Sequence, residues 1–323
     1  MGHRDGPNQL LGAQFFGRRR ELRLFSALLE EVQGGTSRAL LINGEPGIGK
    51  SRLLREYRQI ADNHGCATAV FRFRKDAGES TQSIWKAILL DLLHSLPPET
   101  VHTNFFHSFL EIAKERSRTS PVCLFLDNIH FTPSSFLDEL IEVAEELRRY
   151  SVLLTAAYQD LPVYYQGPFL MFLSEIKGLD QFIEHRLTPL SPEESESLGR
   201  DLLGLLASPN ILRKLVAKSN GNPLFIQEIS RLLYLEKEGH TIPEDGIWKI
   251  ELPRLIQTII ARRTGLLSDK CIAFLHRVAF IGPQFSQADL EILLDGTPGH
   301  SWPGCLEEAR SEEHTSELQS LLI

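Results

Sequence analysis

The sequence predicts an α/β protein: a doubly wound parallel sheet of five strands followed by a mostly helical second domain. Three observations predict it. Short apolar runs alternate with amphipathic stretches as far as Leu187, a glycine-rich turn joins the first such run to the helix after it, and beyond Ser191 helical spacing continues while strand signals become few.

In chain order, Met1 to Gln9 has no apolar core that could serve as a signal peptide, and 1–13 reads as a leader. Leu22, Phe25, Leu28, Leu29 and Val32 recur at helical spacing, so 18–33 reads as an amphipathic helix stopped by Gly34-Gly35. Ala39 to Ile42 is a continuous apolar run, as expected of a strand buried on both faces, and a helical pattern at 50–63 follows the turn after it. The alternation continues with a strand at 67–73, helices near 82–95 and 103–117, and a strand from Val122 to Leu126. Next come a helix at 134–149, a strand from Val152 to Ala156, a helix near 168–176 and a strand from Phe182 to Leu187. Helices are then expected at 192–206, 209–218, 223–236, 253–266, 269–280 and 287–294, with Gly246 to Ile250 an extended strip or short hairpin. The Ser191 hydroxyl fits an N-cap, and Glu194 three residues on completes a capping box.

Of 323 residues, 42% are hydrophobic and 24% charged, as in ordinary globular domains, and the net charge of −8 lacks the basic footprint of a nucleic-acid binder. Cys66, Cys123, Cys271 and Cys305 lie too far apart for a zinc site or disulfide framework. No apolar run approaches the roughly 20 residues that span a bilayer, so a cytoplasmic protein without membrane partners is expected.

The chemistry concentrates in Gly44-Glu45-Pro46-Gly47-Ile48-Gly49-Lys50-Ser51, which fits G-x-x-x-x-G-K-[ST] between a strand and a helix. In such a P-loop the glycines let backbone N–H groups converge on phosphate, and the helix adds its positive end. Lys50 would reach the β- and γ-phosphates of ATP, Ser51 would ligate Mg²⁺, and Arg52 follows directly. Pro121 to Asp127 is an apolar strand ending in an acid, and Asp127 would hold the metal through its water shell. Lys50, Asp127 and the next residue, Asn128, form the expected catalytic set. An amide at Asn128 can hydrogen-bond water but cannot accept its proton, so slow hydrolysis is expected unless Glu45 or Asp160 supplies the base. Thr155, with Gln159 close behind, is the candidate γ-phosphate sensor, although a strand-terminal Thr more often reflects plain β-propensity.

With these motifs, Phe16-Gly-Arg-Arg-Arg-Glu21-Leu22, Leu187-Thr-Pro-Leu-Ser-Pro-Glu193-Glu194 and Asn220-Gly-Asn-Pro-Leu-Phe225 resemble the STAND signal-transduction ATPases of the wider AAA+ P-loop NTPase group. The likeness is closest to the ATPase module of large LuxR-type transcription regulators and some adenylate/guanylate cyclases, and it spans 14–294. It implies that Gly17 and Arg18 lie near the adenine or ribose; otherwise Arg18 to Arg20 is a basic helix start on the surface. It also implies that Pro223 touches the nucleotide from the second domain, and that Val278 to Gly282 and Phe285 begin a winged-helix-like part. Asn128 and Gln159 depart from the family pattern at the second acid and at an arginine. A histidine is common in the family where His130 stands, though a lone His is more often a packing residue. The implied function is an ATP/ADP-dependent switch with a transcriptional or cyclase output and self-association left open. An origin-recognition-like DNA-loading ATPase and a non-hydrolysing nucleotide-bound scaffold are the alternatives.

The resulting domains are 14–190 for the P-loop part and 191–309 for the helical lid and start of the winged helix. Arg310 to Ser320 matches, residue for residue, the translation of a common sequencing adapter, so 310–323 is expected to be an artefact. The natural chain is then expected to continue past Ala309, with any DNA contact in that missing part.

Overall fold

Strands without polar residues on either face need helices on both, and this requirement organises the first part of the computed structural model. Residues 15–75, 78–93, 104–160, 167–237, 267–278 and 304–305 are described. The chain divides into two units, Arg18–Thr188 and a second made of Met1–Gly17 with Pro189–Ile323.

In the first unit the elements run α1 (Arg19–Gln33), β1 (Arg38–Asn43), α2 (Lys50–Asn63), β2 (Ala67–Arg72), α3 (Thr81–Leu93), α4 (Phe105–Arg116), β3 (Val122–Asp127), α5 (Ser134–Glu146), β4 (Val152–Ala157), α6 (Pro168–Lys177) and β5 (Phe182–Arg186). The five strands form one parallel sheet in the order β2-β3-β4-β1-β5. β3 and β4 are buried throughout and β1 nearly so, while the edge strands β2 and β5 keep partly exposed positions. This is the continuous apolar pattern expected of strands covered on both faces.

On one face, Leu41, Leu124, Leu126, Leu154 and Ala156 pack with α3 to α6 around the fully buried Trp85. Its ring lies 4.7 Å from Phe109 and 4.9 Å from Phe136, and its Nε1 donates to Glu139 Oε2 at 2.7 Å. On the other face Phe25 of α1 stacks on Tyr57 of α2 at 4.2 Å and meets Phe125 of β3. The helix expected over 134–149 ends at Glu146. A 3-10 turn at Ile129–Phe131, which no periodicity announces, carries the chain from β3 toward α5.

In the second unit α7 (Pro192–Leu203), α8 (Pro209–Ser219) and α9 (Pro223–Lys237) pack Leu198, Leu202, Leu212, Leu215, Ile226 and Ile229 together, and α10 spans Asp269–Val278. The capping box at α7 is formed: Ser191 Oγ accepts from the Glu194 N–H, and the Ser191 N–H donates to Glu194 Oε2. Among the described residues none of the four cysteines is in a disulfide, and no helix is long and apolar enough to cross a membrane. The leader 1–13, the strip Gly246–Ile250, the helices 253–266 and 287–294, residues 279–285 of the winged-helix start and the tail 310–323 lie outside the described residues.

Candidate functional site

The site is built where β1, β3 and β4 end together. Register places Ile42 and Asp127 level with Ala157, so the loop after β1 and the acid closing β3 stand on either side of the β4 exit. In open α/β sheets, ligands bind outside these carboxyl ends.

The Gly44–Ser51 loop depends on its glycines. Gly44 has φ +148°, and a Cβ there would come within 2.9 Å of the Leu187 carbonyl oxygen, so the backbone passes too close for any side chain. Gly49, at φ +105°, is the N-cap of α2, and no side chain caps that helix. The first N–H groups of α2 therefore keep the positive end that favours an anion. Lys50 is buried, and its Nζ donates to the carbonyls of Gly44 at 2.6 Å and Glu45 at 2.7 Å. The ammonium is thus folded back onto the loop, among oxygens that a phosphate would outcompete by carrying full negative charge.

Arg18 behaves unlike the two arginines after it. Arg19 and Arg20 are exposed, as a surface helix start requires, but Arg18 is 7% exposed and left-handed at φ +58°. Its guanidinium donates to Ile48 O at 3.0 Å inside the loop and to Thr188 O at 2.6 Å, with Glu21 Oε1 3.5 Å away. Glu21 also lies 3.5 Å from His185 Nε2, and this approach is the main cause holding the Glu21 carboxyl below its ordinary value. Gly17 belongs to the other unit, where a Cβ would strike the Glu194 carboxylate.

Asp127 is nearly fully buried. Its Oδ2 receives Arg72 Nε at 2.8 Å, from the residue opposite on β2, while Oδ1 has no hydrogen-bond partner among the described residues. Asn128 follows in the left-handed region at φ +62°, its amide donating to Phe73 O at 3.5 Å. Both acids held as alternative bases are engaged nearby. Asp160 accepts from Arg186 at 3.2 Å while its N–H donates to Gly44 O, and Glu45 is buried in the loop. Below the loop, Asn43 Nδ2 donates to Glu184 Oε1 at 2.9 Å and Tyr158 OH donates to the same oxygen at 2.6 Å. Burial works to raise the Glu184 carboxyl, but hydrogen bonds from Lys177, Tyr158 and Asn43 outweigh it and hold the group below its usual value.

Other expected residues stand apart. Thr155 is level with Leu40 and Phe125, two residues inside β4, and its hydroxyl is fully buried with no hydrogen-bond partner among the described residues. The Gln159 N–H, at the β4 exit, donates to His130 Nδ1 at 3.3 Å, so His130 supports that exit. Arg52 pairs along α2 with Glu56 at 2.9 Å. Pro223 opens α9 in the second unit. Sequence reasoning missed Arg72, because a strand-terminal arginine gains meaning only when β2 is known to lie beside β3.

A family model described as AAA ATPase domain matches residues 14–226. The chain belongs to that family. No curated protein matches this AAA ATPase domain protein in sequence. Its fold is similar to that of the Aeropyrum pernix ORC2 protein solved as ADPNP–ADP complexes, at TM-score 0.59 and 15% identity over 93% of this chain and 87% of that one. It is likewise similar to the Walker-type ATPase PABY2304 of Pyrococcus abyssi, at 0.60 and 14% over 95% and 96%. Drosophila ORC bound to DNA matches at 0.51 and 15% over 91% and 80%. At such identities the likeness is one of fold.

Proposed function

We propose that this protein is the ATP-binding switch module of a signal-transduction ATPase, with slow hydrolysis coupled to an output carried elsewhere in the protein. The observation that carries the reading is the junction of three elements at the sheet's carboxyl end. These are a loop turned by Gly44 and Gly49 onto an uncapped helix start, a buried lysine within it, and a buried carboxylate at Asp127 with one oxygen lacking a hydrogen-bond partner among the described residues. These groups fit a magnesium nucleotide: Gly44 to Ser51 would cradle the phosphates, and Ser51 and Asp127 would hold the metal. Bound Mg²⁺ would neutralise charge on the phosphate oxygens. Lys50 would exchange its two carbonyl partners for phosphate oxygens. Arg18 would act from behind, fixing the loop through Ile48.

Asn128 lacks a proton-accepting oxygen of carboxylate strength, which supports slow turnover. Gln159, at the β4 exit, and Arg52, early in α2, are proposed as polar residues toward the nucleotide, whereas the buried hydroxyl of Thr155 lies too deep in β4 for that role. Pro223 is proposed as the second unit's sensor, on family resemblance alone. A coupling of about 1–3 kcal/mol between nucleotide state and output is typical of such switches.

A DNA-loading ATPase is the second reading, favoured by the fold shared with origin-recognition proteins. The net charge of −8 opposes it. Phosphate release from ATP, followed beside fluorescence anisotropy of a DNA duplex across a salt series, separates the readings. The switch predicts turnover slower than about one per second and no salt-dependent DNA binding. Fast turnover, or duplex affinity falling steeply with salt, would overturn it; bound ATP with no phosphate release at all would point to a static scaffold.

A further inference from the structure

A carboxylate buried at the end of an apolar strand needs a counter-charge. Asp127 finds one across the sheet: register pairs it with Arg72, whose Nε donates to Oδ2 at 2.8 Å. The two side chains differ sharply in exposure, 4% for Asp127 and 53% for Arg72, so a fixed anion is met by a cation with an open path to solvent. A second cation stands close by. Arg55 lies one turn past Ser51 on α2, its guanidinium kept below its ordinary value first by burial and then by the neighbouring Arg52 and Arg72 charges. Arg55 also feels the Glu56 and Asp127 carboxylates, so cations and anions are interleaved on this flank of the site.

We propose that Arg72 is the resident counter-ion of Asp127, a positioning residue that competes for this carboxylate with a divalent metal arriving with nucleotide, so that Arg72 sets how much metal the site requires. The inference rests on the reading of Asp127 as the metal acid and deepens it. Through Oδ2, Arg72 fixes the carboxylate plane and leaves Oδ1 as the open acceptor. It also withholds one oxygen and part of the negative charge from the metal's water shell. Its half-exposed head is free to swing aside when Asp127 is claimed, which a buried arginine could not do without cost.

The test uses Mn²⁺ as probe, with its binding read by electron paramagnetic resonance on protein in excess over a non-hydrolysable ATP analogue. Affinity for the analogue alone is measured separately in EDTA. Arg72→Gln and Arg72→Met, two variants that keep an uncharged stem, should each bind Mn²⁺ about two- to fivefold more tightly than the parent, the range expected for a partly exposed ion pair. Their analogue affinity in EDTA should be unchanged. In an Asp127→Asn background, Arg72→Gln should have no effect on Mn²⁺ affinity. Unchanged or weaker Mn²⁺ binding in both single variants overturns the proposal, as does loss of analogue affinity in EDTA, which would make Arg72 a phosphate ligand. Failure of the parent to hold the analogue under any condition is a different result: it overturns the nucleotide reading itself and the proposal with it.

Discussion

Arg18 Nη2 donates to the Ile48 carbonyl at 3.0 Å, joining the residue before α1 to the middle of the glycine-rich loop. Loops turned by glycine are conformationally permissive, so one held ready for a ligand needs fixing from outside. Arg18 does this with a guanidinium that also reaches Thr188 O beyond β5. Glu21, in turn, accepts Tyr57 OH at its own carbonyl. The clamp thus ties α1, α2, the loop and the chain leaving β5 into one assembly.

Replacing Arg18 by Ala should lower unfolding stability by roughly 2 kcal/mol, since two charge-assisted hydrogen bonds to carbonyls are lost from a buried site. Arg18→Lys should recover little of it, because an ammonium cannot span both carbonyls as the planar fork does. Urea denaturation of the three proteins checks this. Equal midpoints would mean that the clamp contributes nothing.

The strands and helices of the first unit were legible because β1, β3 and β4 are uninterrupted apolar runs, and because Gly34 and the 44–51 motif mark element ends. The motif and Asp127 were legible for the same reason: their chemistry is local in sequence. What escaped depends on neighbours. The order β2-β3-β4-β1-β5 sets Arg72 against Asp127 and buries Thr155 below the sheet's end, and no spacing along the chain encodes that order. From the residues alone Arg18 to Arg20 read as one basic helix start, and only family resemblance sets Arg18 apart; its left-handed backbone turns it inward while Arg19 and Arg20 face solvent.

Trp85 anchors the α3–α6 face with full burial and a hydrogen bond to Glu139, whose carboxyl is raised chiefly by desolvation. Trp85→Ala should cost about 3–5 kcal/mol. Trp85→Phe should cost less, from lost volume and the unmet Glu139 oxygen. Chemical denaturation measures both, and an alanine variant within 1 kcal/mol of the parent would mean that this core repacks freely.

Glu21 gives stability a defined pH dependence. Its folded pKa lies below the ordinary glutamate value, so its contribution is complete above that ordinary value and is lost as pH falls through the folded one. Glu21→Gln should therefore flatten the acid limb of a stability–pH curve while lowering stability at neutral pH. An unaltered acid limb, followed by thermal unfolding between pH 3 and 7, would contradict the His185 and Arg18 contacts as its cause.

Asn128 already occupies the left-handed region that Asp also tolerates, so Asn128→Asp should fold like the parent. With a proton acceptor placed beside Asp127, phosphate release should rise by at least about tenfold, a fraction of the roughly 100-fold or more that a fully positioned general base supplies. No gain would shift the role of base to Glu45 or Asp160.

Backbone amides and the Lys50 ammonium are together expected to hold a triphosphate. Isothermal titration of ATP with magnesium, on the parent and on Lys50→Ala, tests it most directly. The parent should bind, and the variant should bind about 10- to 100-fold more weakly, the loss expected of one or two charge-assisted hydrogen bonds. A parent protein that takes up no ATP, or a variant that takes it up equally well, would contradict the account.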